Sequence, residues 1–370
     1  MKKFNFFVVL AMLVAIQILM GCGRNGSTDN NGGLKIVCDS IRIDASSIEG
    51  SLPSYIFVNV DGDIVSGYNY RTNSIDRYDL ESGKPIGSIV LNREGADAIP
   101  GRISLIEQWT DSTFAIFDGI KLYEVSPAGS IKNSYELPSA EYALLERNAR
   151  SSASNILIKP DKGTVSYAVA ENGAVSVVTY NFAGDSIENR MPLIELGAPK
   201  EYGFMRYPNV TVTDSLVIAS FPYESKFTVK DRSTGNVQTI EDHSKYAADH
   251  AEKCVDEDPD GISRHGVVNP HYFPVEYMKD MGVYVQFYLT PSLEEYSNDI
   301  EKGMYSRRLC MKVFDDNFNK IGEWQLEENK FDPYMGWKVA DNAIILFKDN
   351  ILNDRDDSED LLKITRLRLE

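Results

Sequence analysis

The sequence predicts an all-β fold: a six-bladed β-propeller of four-stranded blades, closed by its own N-terminal strand. Three observations carry this reading. From Leu34 onward the chain is a series of short segments rich in Val, Ile, Tyr, Phe and Thr, cut by Gly, Asn and Asp turns, with long helical periodicity almost absent. A four-strand unit of about forty residues recurs along it. The final unit offers only three strands, while a spare strand stands at the start.

In chain order, Lys2 and Lys3 precede an apolar run from Phe4 to Met20 that is interrupted by Asn5 and Gln17. This is the layout of a secretory signal rather than a stable membrane span. Ile18-Leu19-Met20-Gly21-Cys22 closes the run as a lipobox. Residues 1–21 are therefore expected to be removed as a lipoprotein signal peptide, leaving Cys22 to carry fatty acyl chains such as palmitate. Each buried methylene contributes about 0.8 kcal/mol, so two or three chains hold a protein durably on a membrane where one does not. Residues 22–33, CGRNGSTDNNGG, have the composition of a flexible tether. By analogy with bacterial sorting, Gly23 behind the acylated cysteine points to the outer membrane, with the periplasmic and surface faces both open. Residues 34–43, LKIVCDSIRI, form the spare strand. Paired with the last blade, it would close the ring and hide two sheet edges.

The first blade shows the unit clearly. Tyr55–Val60, Asp63–Asn69, Ser74–Leu80 and Pro85–Leu91 read as strands, joined by turns at Asp61-Gly62, Tyr70–Asn73 and Glu81–Lys84. An aromatic-containing third strand, a polar Gly or Asn turn and a fourth strand then recur. They appear as SIDRYDLESGKPIGSIVL from Ser74, IKLYEVSPAGSIKNSYEL from Ile120, VVTYNFAGDSIENRMPL from Val177, KFTVKDRSTGNVQTIE from Lys226 and LCMKVFDDNFNKIGEWQL from Leu309. The sixth unit has strands around Trp337–Ala340, Ala343–Lys348 and Leu361–Leu369. Spacing stretches between the fourth and fifth copies, which places an insertion at about 242–270 within the body 34–370, and insertions in such repeats map to a loop face. Two stacked β domains would also accommodate these strands.

The lipobox, the tether, the closing strand, the phrase YDLESGKPIGSIVLNREG (Tyr78–Gly95) and the aromatic strand His271–Phe273 together resemble the uncharacterised six-bladed, TolB-like propeller lipoproteins of gut anaerobes, a domain-of-unknown-function family. The likeness covers nearly the whole chain after the signal. It implies the fold and brings no activity with it.

Composition narrows the function classes. The formal charge is −17, and loss of Lys2 and Lys3 takes it to about −19. Such a surface repels phosphate backbones, so nucleic acid is not an expected partner. With 43% hydrophobic residues, 20 Tyr and 16 Phe, the chain can fill a large core. Beyond Cys22 only Cys38, Cys254 and Cys310 remain, with no CxxC, so stability must come from that core rather than from a disulfide scaffold.

Several constellations could carry chemistry. All four histidines fall between His243 and His271. If residues 244–255 are helical, His243, His250 and Cys254 share one face, and His265 and His271 could complete a zinc or copper site, although the spacing matches no compact metal motif. Asp256, Asp258 and Asp260 precede Gly261 in the D-x-D-x-D-G opening of a calcium loop, which makes calcium the one cofactor the sequence suggests. The match ends there, because Val267 stands where the loop needs Glu. Asp315–Asn319 has similar chemistry and reads as a hairpin turn. No G-x-S-x-G, P-loop, G-x-G-x-x-G or H-E-x-x-H occurs. Acids and amides near the starts of inner strands, Asn59, Glu107, Asn209 and Glu276, are where an axial metal-dependent site would assemble. The tyrosines and phenylalanines admit a glycan platform, but their alternation along strands assigns most of them to the core. The expected function is a lipid-anchored binding or scaffold module of the cell envelope with a protein or glycan ligand, rather than an enzyme. A metal-dependent hydrolase or lyase using the axial channel, and glycan or peptide capture for nutrient uptake, are the alternatives.

Overall fold

The computed structural model describes residues 34–138, 156–195, 199–255, 258–296, 299–333, 336–353 and 360–370. The signal peptide, Cys22, the tether and Asp256 lie outside the described residues. The closing strand is β1 (Ile36–Asp44). Blade one is β2 (Ile56–Asp61), β3 (Ile64–Asn69), β4 (Ser74–Asp79) and β5 (Lys84–Val90). Blade two is β6 (Leu105–Thr110), β7 (Thr113–Phe117), β8 (Lys121–Val125) and β9 (Ile131–Glu136). Blade three is β10 (Ile156–Lys159), β11 (Thr164–Glu171), β12 (Ala174–Asn181) and β13 (Ser186–Glu195). Blade four is β14 (Asn209–Val212), β15 (Leu216–Ser220), β16 (Phe227–Asp231) and β17 (Val237–Ile240). Blade five is β18 (His271–Met278), β19 (Val283–Leu289), β20 (Leu309–Phe314) and β21 (Lys320–Gln325). Blade six is β22 (Trp337–Val339), β23 (Ile344–Phe347) and β24 (Leu361–Leu369), completed by β1.

All six sheets are antiparallel meanders, and the first strands of successive blades meet around the axis. The core lies between blades rather than within them. One apolar cluster fills each of the six seams. Alternation along a single strand explains the sharing: Ile344 and Leu346 enter the seam with blade five, whereas Ile345 and Phe347 enter the seam with blade one. A strand buried on both faces has no polar side to show, so β7, β19 and β23 are buried throughout.

The ring closes as the sequence predicts. β1 pairs with β24 from Ile36↔Leu369 to Asp44↔Leu361, and Lys35 and Glu370 exchange backbone hydrogen bonds of 2.7 and 2.9 Å beyond it. Ile43 is wholly buried in the seam between blades six and one.

Meander topology sorts the loops. Connections between blades, and turns from second to third strands, lie on one face, called here the connection face; the remaining turns form the hairpin face. Hairpin-face turns are short. Gly62, at φ +57°, takes the left-handed conformation that the tight β2–β3 turn requires. The connection face is elaborate, above all at blade five. Residues 241–270 precede that blade with helix α1 (Pro259–Val268), and residues 290–308 interrupt it between β19 and β20 with α2 (Ile300–Tyr305). The wide sequence spacing before the fifth copy thus arises from two insertions. Buried Arg307 clips them together, donating to the carbonyls of Thr290 (2.9 Å), Gly266 (2.8 Å) and Asn269 (2.5 Å).

One local expectation is corrected. Residues 244–255 are irregular rather than helical, and the helix forms further on. The backbone of this segment is used elsewhere: Ser225 N donates to Asp249 O, Ala251 N to Tyr223 O and Cys254 N to Glu201 O, so the segment cannot satisfy itself as a helix. Asp258 and Pro259 set the true start, with Asp258 as N-cap and Pro259 in the first turn.

Removal of β1 tests the closure. A chain beginning at residue 45 should lower the thermal midpoint by more than about 10 °C, because it opens one seam and exposes the edge of β24. Near-UV circular dichroism on heating reads this directly; an unchanged midpoint would mean the ring does not depend on the strand.

Candidate functional site

Two polar regions stand out against the apolar seams: the axis, and a cleft on the connection face. At the axis the first strands supply Asn59 from β2, Glu107 and Gln108 from β6, Asn209 from β14, Glu276 from β18 and Lys338 from β22. Two of the four residues the sequence selected are struts between blades. Asn59 Nδ2 donates to Gln108 Oε1 at 2.8 Å, and Asn209 Nδ2 donates to the Tyr272 carbonyl at 2.9 Å. The other two belong to a charge cluster with Lys338, whose ammonium lies 2.9 Å from Glu107 Oε1 and within electrostatic reach of Glu276. Glu276 is 2% exposed, and neither carboxyl oxygen has a hydrogen-bond partner. Burial drives its pKa up to about 8, against the opposing pull of Lys338. Burial also penalises the Lys338 ammonium, but the charges of Glu107 and Glu276 outweigh that and hold its pKa above the ordinary lysine value. The positive charge that a metal would bring to Glu107 is thus supplied by a cation of the protein.

The cleft opens on the connection face beside blade one, with a volume of about 930 Å³. Its walls come from the connection 45–55, the β3–β4 turn at 70–73 and the connection 91–104, with Asp349 of blade six at the rim. Local chemistry makes these walls rigid. Asn69 Oδ1 accepts the backbone N–H groups of Arg71 (3.0 Å) and Thr72 (3.4 Å), which shapes the turn, and its Nδ2 donates to Gly50 O at 3.0 Å and to Asp76 Oδ2 at 2.8 Å. Asp76 is wholly buried and fully satisfied, accepting also from the hydroxyls of Tyr55, Ser74 and Ser88. Across the cleft, Asn73 Nδ2 donates to Leu91 O at 2.5 Å, and Tyr68 OH donates to Asn73 Oδ1 at 2.8 Å. Ile99 and Ile103 root the second wall in the seam of blades one and two.

Three aromatic rings line the cleft: Phe57, Tyr68 and Tyr70. Tyr70 is 57% exposed, whereas Tyr55, Tyr78, Tyr167, Tyr180, Tyr272 and Tyr288 are fully buried in the core. Phe57 sits at φ +53°, a conformation costly for a bulky residue, where the β2–β3 register slips between Ile56 and Asn59. The Phe57 ring packs against the seam of blades one and two and borders the cleft. Three guanidinium groups, Arg71, Arg93 and Arg102, share the lining with one carboxylate, Asp349. Arg93 lies beside the Tyr68 phenol, whose pKa is raised by burial and partly restored by that cation.

None of these arginines was selected from the sequence. A charge count over the whole chain averages them away, and only the ring brings the β3–β4 turn next to the connection 91–104. The usable signal was local: basic residues directly behind a second and a fourth strand, on the side where the long connections gather.

The remaining sequence candidates scatter. His243 Nδ1 lies 2.6 Å from Asp249 Oδ2, and this contact raises the histidine pKa. His250 Nδ1 lies 2.8 Å from Ala251 O. Half-buried His271 is pushed down to about 3 by desolvation and by Arg307. Cys254 and His265 do meet around Gly203, where an added Cβ would lie 3.8 Å from both Cys254 Sγ and His265 Nδ1. Among the described residues no three His, Cys, Asp or Glu side chains gather as a metal site. Asp258 Oδ1 accepts from Asp260 N (3.1 Å) and Gly261 N (2.9 Å), while Asp260 is exposed in the first turn of α1. Asp315 organises the β20–β21 turn, as expected, accepting from Asn317 N and Asn319 N.

Fold and site define a six-bladed β-propeller whose polar cleft is built from the loops of its connection face. The chain belongs to the DUF4221 family, a domain of unknown function, whose profile matches residues 64–325. It is similar in structure to a DUF4221 member from Bacteroides vulgatus, with 14% identity and a TM-score of 0.65 over 91% of this chain and 98% of that one. It is also similar to a candidate exported protein from Bacteroides fragilis, with 11% identity and a TM-score of 0.54 over 93% and 98% of the two chains. None of the curated proteins matches it.

The buried carboxyl gives a pH prediction. The folded pKa of Glu276, about 8, stands above the unfolded value of about 4.3, so the native state binds this proton more tightly. Its contribution is complete below the unfolded value and is lost as pH rises through the folded one. Glu276→Gln should match the parent near pH 3.5, where residue 276 is neutral in both states, and be more stable by several kcal/mol at pH 8 to 9, at about 1.4 kcal/mol for each unit between the two pKa values, read from urea unfolding midpoints. Parallel pH profiles for the two proteins would refute the assignment.

Proposed function

We propose that this protein is a lipid-anchored binding module of the bacterial cell envelope, and that it takes its ligand in the cleft of the connection face. One observation carries the reading: the cleft combines the exposed ring of Tyr70 and three exposed guanidinium groups on walls fixed by buried hydrogen bonds, which is how a preformed binding site is made. The arrangement lacks a nucleophile paired with a base. At the axis, Lys338 already neutralises Glu107, which weighs against a metal-dependent hydrolase working there.

The geometry of the ends supports the anchored arrangement. β1 runs antiparallel to β24, so residue 36 lies on the hairpin face and residue 44 on the connection face. A tether running from Cys22 to Leu34 therefore joins the body on the side opposite the cleft. With an r.m.s. span of about 20 Å for a flexible segment of this length, it holds the hairpin face toward the lipid and leaves the cleft turned away. An outer-membrane location agrees with Gly23 after the acylated cysteine, and a relative of the same fold is a candidate exported protein. No helix among the described residues is long and apolar enough to cross a membrane.

Two measurements test this reading. Cys22→Ser should move the protein from the membrane fraction to the soluble fraction without changing its thermal midpoint; retention on the membrane would overturn the anchor. Screening the Cys22→Ser chain against glycan and peptide panels should give a ligand whose affinity falls by about tenfold or more in Tyr70→Ala, since a base or sugar face stacked on an aromatic ring contributes about 1–3 kcal/mol. A ligand indifferent to both Tyr70→Ala and Phe57→Gly binds elsewhere, and the cleft reading then fails.

A further inference from the structure

Resting on the binding reading above, we infer that the cleft recognises an acidic saccharide, an oligomer whose sugar rings carry carboxylate or sulfate groups. The first argument is charge. The chain has a net charge of −17, yet the cleft lining holds Arg71, Arg93 and Arg102 against Asp349 alone. Anions are repelled over most of this surface, whereas three guanidinium groups against one carboxylate make the cleft attractive to them. Arginine is suited to the task because its planar donor fork meets carboxylate or sulfate oxygens in pairs and remains charged at any working pH.

Position is the second argument. Arg71 comes from the β3–β4 turn, and Arg93 and Arg102 come from opposite ends of the connection 91–104, so the three groups enter the lining from three separate stretches of backbone. The backbone beneath each is held: Arg71 N by Asn69 Oδ1, and the ends of the connection by Asn73 on Leu91 O and by Ser104, whose N–H and hydroxyl both donate to Phe117 O at 2.9 and 3.2 Å. Several separated cations on fixed bases match a ligand that bears its charges at intervals.

The third argument is shape. About 930 Å³ is near the top of the range for small-molecule sites, about 300–1,000 Å³, and exceeds what a single small anion needs. Tyr70, 57% exposed, supplies a flat face on which a sugar ring can stack, with the edges of Phe57 and Tyr68 beneath it in the lining. A peptide that binds by adding a strand needs a run of free main-chain groups, and an acidic peptide held only by arginines is the case that tetraglutamate tests below. Here the bulge at Phe57 breaks the β2 ladder where it borders the cleft, so no regular edge is offered. Side chains, not backbone, form the recognition surface.

The test uses the mature chain from residue 22 with Cys22→Ser, titrated calorimetrically with four probes of similar length: an oligogalacturonate, a sulfated heparin tetrasaccharide, neutral maltotetraose and tetraglutamate. At least one acidic saccharide should bind, and which of the two does so separates carboxylate from sulfate recognition. Its affinity should fall by about tenfold in each of Arg71→Gln, Arg93→Gln and Arg102→Gln, and should weaken with added salt. Maltotetraose should not bind measurably. These arginines are exposed, so unchanged thermal midpoints are expected to show that the variants are folded. Equal affinity for maltotetraose or tetraglutamate overturns the inference, as does an acidic saccharide that ignores all three substitutions. If no acidic saccharide binds while a panel ligand still depends on Tyr70, this inference fails and the cleft remains a binding site.

Discussion

A propeller exists only if its ends meet, and here that depends on nine residues of β1 lying against β24. The reason is the placement of the core. Six apolar clusters belong to the seams between blades, so no blade buries both its faces alone, and strands such as β23 contribute alternate side chains to two neighbours. An open ring would leave one seam without its second wall and two sheet edges without partners. Closure also brings the first strands together. They crowd so closely that the axis must be filled by side chains, and the polar ones tie blades to one another: Asn59 to Gln108, Asn209 to Tyr272 and Lys338 to Glu107.

The same closure assigns the two faces different work. Since β1 ends on the connection face, the chain passes through residues 45–55 before blade one begins, and that passage forms the first wall of the cleft. Longer excursions build the opposite part of the face. There blade five carries a buried ammonium, Lys312, that pairs with Asp242 and lies 5.0 Å from the ring centres of both Tyr272 and Tyr288. Desolvation lowers the Lys312 pKa, while Asp242 opposes the loss of charge. Lys320 bridges Asp242 and Glu323 at 3.2 and 2.7 Å, and Tyr288 OH donates to Glu323 at 2.6 Å. Asp242 opens the insertion, so the network fastens its first residues to the blade as Arg307 fastens its last. A buried pair of this kind is weak as a source of stability and strong as a source of unique geometry, because any other register leaves a charge without its partner.

The fold was legible in the sequence because it is written locally. Strand alternation, turn residues and a three-stranded last unit with a spare N-terminal strand depend on near neighbours, and the strands of blades one and six lie within two residues of where the pattern puts them. The helix misplaced to 244–255 shows the limit. Ala247, Ala248 and Ala251 favour a helix, but the hydrogen bonds from Ser225 N to Asp249 O and from Ala251 N to Tyr223 O join segments about 25 residues apart, and no local pattern records them. The acidic triplet shows a different limit: Asp258 has an N-cap's position as well as a ligand's, and Pro259 behind it suits a helix start at least as well as a calcium loop. Of the axial residues, type and strand position were readable. Which of them would face Lys338 was not, since β22 is more than 200 residues from β6.

Arginines in the cleft were hidden for a related reason, and that reason bears on how the site works. On this chain a positive patch cannot arise from an excess of basic residues; it requires keeping acids away from a few. The lining achieves this by composition, with Ser54, Ser104, Asn73 and apolar groups where the rest of the surface carries Asp and Glu. One carboxylate beside the cleft, Asp76, is withdrawn behind the wall and occupied by the hydroxyls of Tyr55, Ser74 and Ser88 and the amide of Asn69. It steadies the turn that bears Tyr70 and Arg71 without presenting its charge to the cleft. The strained backbone of Phe57 fits the same logic. A conformation that costs about 1–3 kcal/mol persists only where its surroundings enforce it, and here the Phe57 ring is held against the seam of blades one and two at the place where that seam borders the cleft.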